Sequence, residues 1–208
     1  MYQRGFKRIL DFLTALLCLI VLAVPMLLIA LAVKLDSPGP VLFWQKRIGI
    51  RKTTYMMPKF RSMYTSAPAE MATHLLDDPE QWITPVGRVL RRYSLDELPQ
   101  FISILKGDMS FIGPRPALWN QFDLIEERDK YGANDVIPGL SGWAQINGRD
   151  ELPIPVKAAY DGEYARNVSF AFDLKCFFGT IKKVLLHEGV VEGSAVAETD
   201  EERELIEK

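Results

Sequence analysis

The longest apolar segment of the chain runs from Phe12 to Val33 and contains 22 residues without a charge. As a straight helix it would rise roughly 33 Å, enough to cross the hydrocarbon core of a bilayer. Pro25 lies near its middle, where it removes a backbone hydrogen bond and predicts a kink. Basic residues flank both ends of the segment: Arg4, Lys7 and Arg8 before it, and Lys34, Lys46, Arg47, Arg51 and Lys52 after it.

These flanking charges bear on three interpretations of the segment. Positive flanks favour the cytoplasmic side of a membrane. A re-entrant helical hairpin over residues 1–35, broken at Pro25 and returning to the side it entered, satisfies both the charges and the proline. A straight spanning helix satisfies only one of them. A cleaved signal peptide is disfavoured by the length of the apolar run and by the basic residues behind it.

Residues 36–188 have the mixed helix and strand patterns of a domain of the α-rich α+β class. Short strands are predicted at residues 41–45 and 53–60, with a basic turn at residues 46–49 after the first. Pro58 restricts the second strand to a sheet edge. A mobile loop is expected over residues 64–81, with some helix around residues 70–76.

Two helices are predicted to follow that loop. Thr84 is typical of an N-cap before proline and predicts a helix over residues 86–93. Ser94, with Glu97 three residues later, has the spacing of a capping box that opens the next helix. Gly107 is expected to end it.

The C-terminal third alternates helical patterns with one irregular segment. Helices are predicted over residues 119–131, 156–167 and 170–186, and the last is amphipathic enough to lie in a membrane interface. Residues 137–149 predict an ordered loop or a loop with a short turn, and residues 189–208 predict an acidic, disordered tail.

Charge and cysteine content narrow the class of partner. The net charge of −2 divides into −5 from Gly189 onward and +3 before it. A basic body fits an anionic substrate or membrane surface, and no nucleic-acid partner is expected. Cys18 and Cys176 do not have the setting of a disulfide pair, which favours a reducing compartment.

Candidate chemistry is concentrated in the run from Tyr93 to Pro116. The adjacent carboxylates Asp96 and Glu97 follow three arginines and precede a Gly-Pro-Arg-Pro turn that fixes the backbone around Arg115. Carboxylates that attack or hold a metal, beside cations that carry phosphate charge, are typical of phosphoryl transfer. The arginines before the pair are Arg88, Arg91 and Arg92.

Structural interpretations of these residues stay open. Acids are common in first helical turns, because they complement the helix dipole, which lowers their pKa. Glu97 could serve only as a cap, and the arginines could form a solvated helix face.

Long motifs in the chain resemble the bacterial sugar transferase family, the small monotopic phosphoglycosyl transferases. The resemblance extends from about Lys7 to Lys175. It rests on KRILDF from Lys7, DSPGPVLFWQKRIG from Asp36, KFRSM from Lys59, LDELPQFISILKGDMSFIGPRP from Leu95 and PGLSGWAQINGR from Pro138.

The resemblance implies transfer of a sugar-1-phosphate from a UDP-sugar to a polyprenol phosphate, such as undecaprenyl phosphate, with release of UMP. Asp96 would be the nucleophile and would form an aspartyl-phosphosugar in a ping-pong sequence. Glu97, with Asp96, would hold Mg²⁺. The implied substrate- and phosphate-binding residues are Lys59, Arg88, Arg115, Arg149 and Asp161.

The same resemblance implies the location. The protein is expected at the inner membrane of a bacterium, bound to its lipid, with the catalytic domain and both termini on the cytoplasmic face. The family breaks its re-entrant helix at a Ser-Pro pair, whereas this chain has Val24-Pro25. The sugar is left open, as is the choice between a monomer and a homodimer.

Two rival functions remain at this stage. A metal-dependent phosphatase or pyrophosphatase would use the same acids without a lipid acceptor. A membrane scaffold would use the basic face to bind anionic lipid and would need no nucleophile.

Overall fold

The computed structural model describes residues 2–68, 78–148 and 152–186 of the chain. A π-helical turn at Tyr2–Phe6 precedes the first α-helix. The α-helices are α1 (Lys7–Val21), α2 (Ala23–Asp36), α3 (Pro85–Arg92), α4 (Phe101–Lys106), α5 (Phe122–Asp129), α6 (Trp143–Ile146), α7 (Ile154–Arg166) and α8 (Phe170–Leu186). The strands are β1 (Leu42–Ile48), β2 (Thr54–Phe60), β3 (Ser110–Ile112) and β4 (Gly139–Ser141). The short 3₁₀ helices are Ile50–Lys52, Pro79–Trp82, Leu95–Gln100 and Ala133–Asp135.

This architecture confirms the predicted helix-rich α+β class. The helix expected near residues 70–76 and the acidic tail over residues 189–208 lie outside the described residues, so both stay predictions. The domain limits drawn from the sequence stay predictions as well.

A bend of 63° separates α1 from α2. It is centred on Leu22 (φ −92°, ψ 7°), three residues before the predicted break at Pro25. The shift has a simple cause, because a proline ring clashes with the carbonyl four residues earlier, here that of Val21. Leu22 itself keeps its hydrogen bonds, since its N–H donates to Cys18 O and its carbonyl accepts from Met26 N.

No single helix within residues 2–68, 78–148 and 152–186 has both the length and the apolar composition of a membrane span. Taken together, the bent pair α1 and α2 meets both criteria.

The polarity of α1 is the reverse of that in a water-soluble helix. Its buried residues are Lys7, Asp11 and Ala15, which recur every four residues on one face. Asp11 accepts a hydrogen bond from the backbone N–H of Phe111 (3.1 Å). The polar stripe therefore faces the protein interior.

The outer faces of α1 and α2 are apolar and exposed. Ile20, Val24, Leu27 and Leu35 are 67, 65, 69 and 78% exposed. Burying a leucine-sized side chain is worth about 1.5–3 kcal/mol, so a surface of this kind is unstable in water unless something covers it.

The opposite faces of the two helices pack on the domain. The C-terminal half of α1 contacts a cluster built around Met57, Phe101 and Ile104. The middle of α2 contacts a second cluster that includes Phe60 and Leu90. Leu98, which follows the paired carboxylates, packs against both clusters.

A long antiparallel hairpin, β1–β2, supports one side of the candidate site. Its register pairs Leu42 with Phe60 and Ile48 with Thr54. The turn lies at residues 49–53, where Arg51 is left-handed (φ 52°), and not at residues 46–49 as the charges had indicated. Pro58 is tolerated because both strands of a two-stranded sheet are edges, as predicted.

The Gly-Pro-Arg-Pro turn is held by a pairing that the sequence did not predict. Strands β3 and β4 are parallel, and they align Ser110 with Gly139 and Ile112 with Ser141. Glycine is required directly after β3, since a Cβ at Gly113 would lie 2.4 Å from the carbonyl oxygen of Ile137. The irregular segment predicted over residues 137–149 therefore contains β4 and α6.

Helix α8 is tied to the start of the chain by a buried polar cluster. Asp173 pairs with Lys7 and accepts hydrogen bonds from the hydroxyls of Tyr2 (2.6 Å) and Tyr164 (2.7 Å). The bounds of α8 are those predicted. Its outer face is apolar and exposed at Phe170, Leu174, Phe177, Phe178 and Ile181.

Candidate active site

The paired carboxylates lie in the first turn of the 3₁₀ helix Leu95–Gln100, which leads directly into α4. The predicted capping box is wrong. Ser94 adopts a left-handed conformation (φ 54°, ψ 24°), and its side chain makes no capping hydrogen bond. The expected end of the helix is confirmed, because Gly107 is left-handed (φ 98°) and its N–H bonds back to Ser103 O.

Helix α3 begins as predicted, with the Thr84 side chain accepting from Gly87 N at 3.0 Å. Gly87 allows the helix to touch the end of β2, since a Cβ there would lie 2.0 Å from the carbonyl of Ser62. One turn later, Arg91 donates to Ser62 Oγ (2.9 Å). Arg88 instead pairs with Glu80 on the outer surface (2.9 Å).

Glu97 is the centre of a small ion-pair network. Its Oε1 accepts from Lys59 Nζ at 3.0 Å and from Arg115 Nη2 at 2.7 Å. Lys59 comes from β2 and Arg115 from the loop after β3. The network therefore joins three segments that are distant in sequence, and each member is less than a fifth exposed.

The backbone of Arg115 is fixed by a buried ion pair between Arg128 and Asp161. The Nη2 of Arg128 donates to the Arg115 carbonyl (2.9 Å) and to Asp161 Oδ2 (2.6 Å), and Nε adds a second bond to the same oxygen (2.8 Å). Asp161 is 1% exposed, and its Oδ2 forms the ion pair with Arg128. This pair positions Arg128, and the expected phosphate-binding role of Asp161 stays a prediction.

A cavity of about 330 Å³ lies on the Asp96 side of the carboxylate pair. Its size is within the usual range for small-molecule sites. Asp96 lines it together with cationic side chains from four parts of the fold: Arg47, Lys59, Arg61, Arg91, Arg115 and Lys157. Cations arranged around one carboxylate match the charge of a diphosphate ligand.

Two of these cations also shape the cavity wall. Arg47 donates to the carbonyl of Pro116 (2.9 Å) and so fixes the turn that carries Arg115. Arg61 donates to the carbonyls of Ser37 and Pro38 (both 2.6 Å), which anchors the end of α2 beside the site.

Burial dominates the electrostatics of the pair. Asp96 is 8% exposed, and desolvation raises its pKa above the ordinary value, although the charge of Lys59 acts in the opposite direction. Desolvation likewise lowers the pKa of Lys59, opposed by Glu97. The helix-dipole argument had predicted a lowered carboxylate pKa, and for Asp96 that prediction is wrong.

A second cavity, of about 270 Å³, lies on the other side of the pair. Glu97 and Arg115 line it, and most of its remaining wall is apolar or aromatic. Arg115 thus borders both cavities, whereas Asp96 faces the first and Glu97 the second.

The donor set fits Mg²⁺ only in combination with a substrate. In residues 2–68, 78–148 and 152–186, no group of three or more His, Cys, Asp or Glu side chains is placed to hold a metal ion. Mg²⁺ commonly binds through one or two carboxylates plus substrate phosphates, and adjacent Asp96 and Glu97 supply the former.

The structure brings together Asp96, Glu97, Lys59 and Arg115 from the predicted set. It leaves Arg88 outside both cavities. Arg149 lies outside the described residues.

Sequence reasoning missed several residues of the site. Arg47 was assigned to a turn, although strand alternation places it on the same face as Gln45, which also lines the first cavity. Lys157 precedes Asp161 by four residues on α7, a helical spacing that could have indicated a shared face.

These features coincide with a family comparison. The model of the bacterial sugar transferase family matches residues 2–187. The chain belongs to the bacterial sugar transferase family. The resemblance inferred from the motifs is thereby confirmed, as is the expected enzyme class.

Individual relatives differ in length. The uncharacterized sugar transferase EpsL of Bacillus subtilis is 39% identical over 184 residues, which cover 88% of this chain and 89% of EpsL. The UDP-glucose:undecaprenyl-phosphate glucose-1-phosphate transferase of Escherichia coli is 42% identical over 189 residues, which cover 87% of this chain and 40% of that protein.

A third relative carries a different sugar in its name. The UDP-N-acetylgalactosamine-undecaprenyl-phosphate N-acetylgalactosaminephosphotransferase of Aeromonas hydrophila is 38% identical, over 86% of this chain and 43% of its own length. The chain therefore spans less than half of these two phosphotransferases. Membership of the sugar transferase family does not by itself fix the sugar.

Proposed function

We propose that this sugar transferase moves a sugar-1-phosphate from a UDP-sugar to a polyprenol phosphate, with undecaprenyl phosphate as the expected acceptor. The observation that carries the proposal is a buried carboxylate, Asp96, set into a cavity lined by cations. Two related phosphotransferases are named for this reaction. The reaction would be the first membrane step in assembly of a glycoconjugate.

In the first half-reaction a carboxylate oxygen of Asp96 attacks the β-phosphorus of the UDP-sugar. The new bond joins oxygen to phosphorus, and the bond to the bridging oxygen breaks, so that UMP leaves with that electron pair. Arg115, Lys59 and Arg91 border the path of this transfer and can stabilise the charge on the phosphate oxygens.

In the second half-reaction an oxygen of the polyprenol phosphate attacks the same phosphorus. The acyl-phosphate bond to Asp96 breaks, the carboxylate is restored, and the product is a polyprenol diphosphate sugar. Glu97 is held by Lys59 and Arg115, so the ion pairs keep the segment in one position through both steps.

Mg²⁺ is proposed as the cofactor, with Glu97 and Asp96 as its protein ligands. When bound with the donor, it would neutralise diphosphate charge.

The bilayer is proposed as the partner of the exposed apolar faces. The outward leucines of α1 and α2 and the outward phenylalanines of α8 would enter lipid from one side of the protein, with the re-entrant hairpin returning at its 63° bend. The catalytic domain would then lie on the cytoplasmic face of a bacterial inner membrane.

Exchange of label from UMP into the UDP-sugar, with no lipid present, is the expected signature of the covalent route. A panel of UDP-sugars, each with labelled UMP, would identify the donor in the same experiment. Net release of UMP without exchange, unchanged by added undecaprenyl phosphate, would instead identify a pyrophosphatase.

The proposed topology predicts that tags at both termini are protected from a periplasmic thiol reagent in intact cells. The reason is that basic residues flank the hairpin on both sides. Pro25→Ala removes the ring that clashes with the Val21 carbonyl and is expected to straighten the α1–α2 pair. The reagent should then label the N-terminal tag in part of the population. Labelling of the N-terminal tag in the unsubstituted protein would refute the re-entrant arrangement.

A further inference from the structure

We infer that the second cavity, on the Glu97 side, binds the phosphate-bearing end of the polyprenol acceptor, while the donor occupies the first. This inference rests on the proposed function. It assigns the two substrates of one nucleophile to separate cavities that share Arg115 as a lining residue.

The chemistry of the wall selects the occupant. The apolar side chains that line the second cavity include Leu98, Phe101, Phe111, Leu140 and Phe177. An isoprenoid chain gains from burial against such side chains, whereas the hydroxyls of a sugar would lose hydrogen bonds to water without replacement. The first cavity, with its cations and amides, offers those replacements.

Cationic side chains outnumber carboxylates in the lining of this cavity. Arg92, Arg115 and Lys183 border the cavity and give three positive charges against the single carboxylate of Glu97. A surplus of cations beside an apolar wall is complementary to a lipid phosphate. Because Arg115 also borders the donor cavity, its guanidinium is the group that a phosphate bound here would share with the phosphosugar on Asp96.

The cavity is continuous with the proposed membrane surface. Phe177 lines it, is 48% exposed, and lies on the outward apolar stripe of α8. Thr180 and Lys183 follow on the same side of this helix. A lipid could therefore enter between α8 and the loop of Ser94 without leaving the apolar phase.

Helix α8 offers two matched pairs of variants for the test. Phe177 and Phe178 are adjacent, 48% and 59% exposed, but only Phe177 lines the cavity. Lys183 and Lys182 are adjacent, and only Lys183 lines it. Loss of membrane affinity would affect both members of a pair, whereas loss of the lipid site would affect one.

Initial rates should be measured in nanodiscs made from one bulk lipid mixture. The mole fraction of undecaprenyl phosphate is varied, and the donor is kept saturating. Phe177→Ala and Lys183→Ala are each expected to raise KM for the lipid by about tenfold, the loss typical of one buried anchor or one charged contact. Phe178→Ala and Lys182→Ala are expected to stay within about twofold. Lipid-free exchange between UMP and UDP-sugar should be retained in all four.

Equal lipid KM values within both pairs would overturn the assignment, as would equal competition by phosphatidic acid at the same mole fraction. Absence of exchange in the unsubstituted protein would instead refute the covalent route on which the proposed function rests. The two failures are thus distinguishable.

Discussion

Asp96→Asn is expected to abolish sugar-phosphate transfer, with a loss of at least about 10³-fold in kcat, because an amide cannot form the acyl-phosphate bond. Intact-protein mass spectrometry after addition of the UDP-sugar should detect a phosphosugar adduct on the unsubstituted enzyme and none on the variant. Membrane association should persist, since the apolar faces of α1, α2 and α8 are unchanged. Retained transfer in the variant would refute Asp96 as the nucleophile. Absence of transfer by the unsubstituted protein, with membrane association intact, would favour a scaffold.

The same variant should be more stable than the parent when substrate and metal are absent. Burial raises the pKa of Asp96 in the folded state, so the folded protein holds that proton more tightly than the unfolded chain does. The resulting penalty is absent below the unfolded pKa and grows as pH rises through the folded pKa. In EDTA at neutral pH, the Tm of the variant should therefore exceed that of the parent. The expected difference is about 2–4 °C for each kcal/mol by which the free energy of unfolding increases, and it should vanish at acidic pH. A gain that persists in acid would exclude this cause.

Arg115→Ala is expected to slow both half-reactions by about 10²–10³-fold, because the guanidinium borders both cavities and holds Glu97 at 2.7 Å. Label exchange measures the first half-reaction, and transfer to lipid from a preformed adduct measures the second. Arg115→Lys should recover little, since one ammonium cannot reproduce a planar guanidinium. An effect confined to one half-reaction would contradict the shared position.

Arg88→Ala provides the control for this experiment. Its guanidinium pairs with Glu80 outside both cavities, and that exposed pair is worth less than about 1 kcal/mol. Transfer activity should stay within about twofold. A large loss would return Arg88 to the phosphate-binding role that the family resemblance implied.

Local sequence chemistry predicted those elements whose ends depend on one or two residues. Thr84 starts α3 through its own hydroxyl, and Gly107 ends α4 in the left-handed conformation that favours glycine. The 22-residue apolar run likewise predicted a bent helix pair, since Pro25 clashes with the carbonyl of Val21, four residues earlier. Even there, the break is at Leu22, where the displaced backbone lies.

Contacts between distant segments were not accessible in this way. Serine is a common capping residue, but Ser94 lies in the turn after α3 and has a left-handed conformation there. The parallel pairing of β3 with β4 depends on glycines that come together only in the fold. The motifs did place Asp96, Glu97 and Arg115 in one site.

The choice of arginine in α3 needed the tertiary structure. Arg88 and Arg91 are both plausible from composition. Only the close contact at Gly87 decides that the face with Arg91 turns inward, and the burial of Asp96 that reverses its pKa shift is a property of the assembled site.

The placement of the carboxylate pair between two cavities has a consequence for substrate entry and product release. The proposed donor cavity borders Tyr64, which is exposed, so UMP would leave toward water. The proposed acceptor cavity borders Phe177, so the lipid product would return sideways into the bilayer. In the proposed mechanism the phosphosugar would stay in one place while its partners change around it, and neither departing product would obstruct the entrance used by the other substrate.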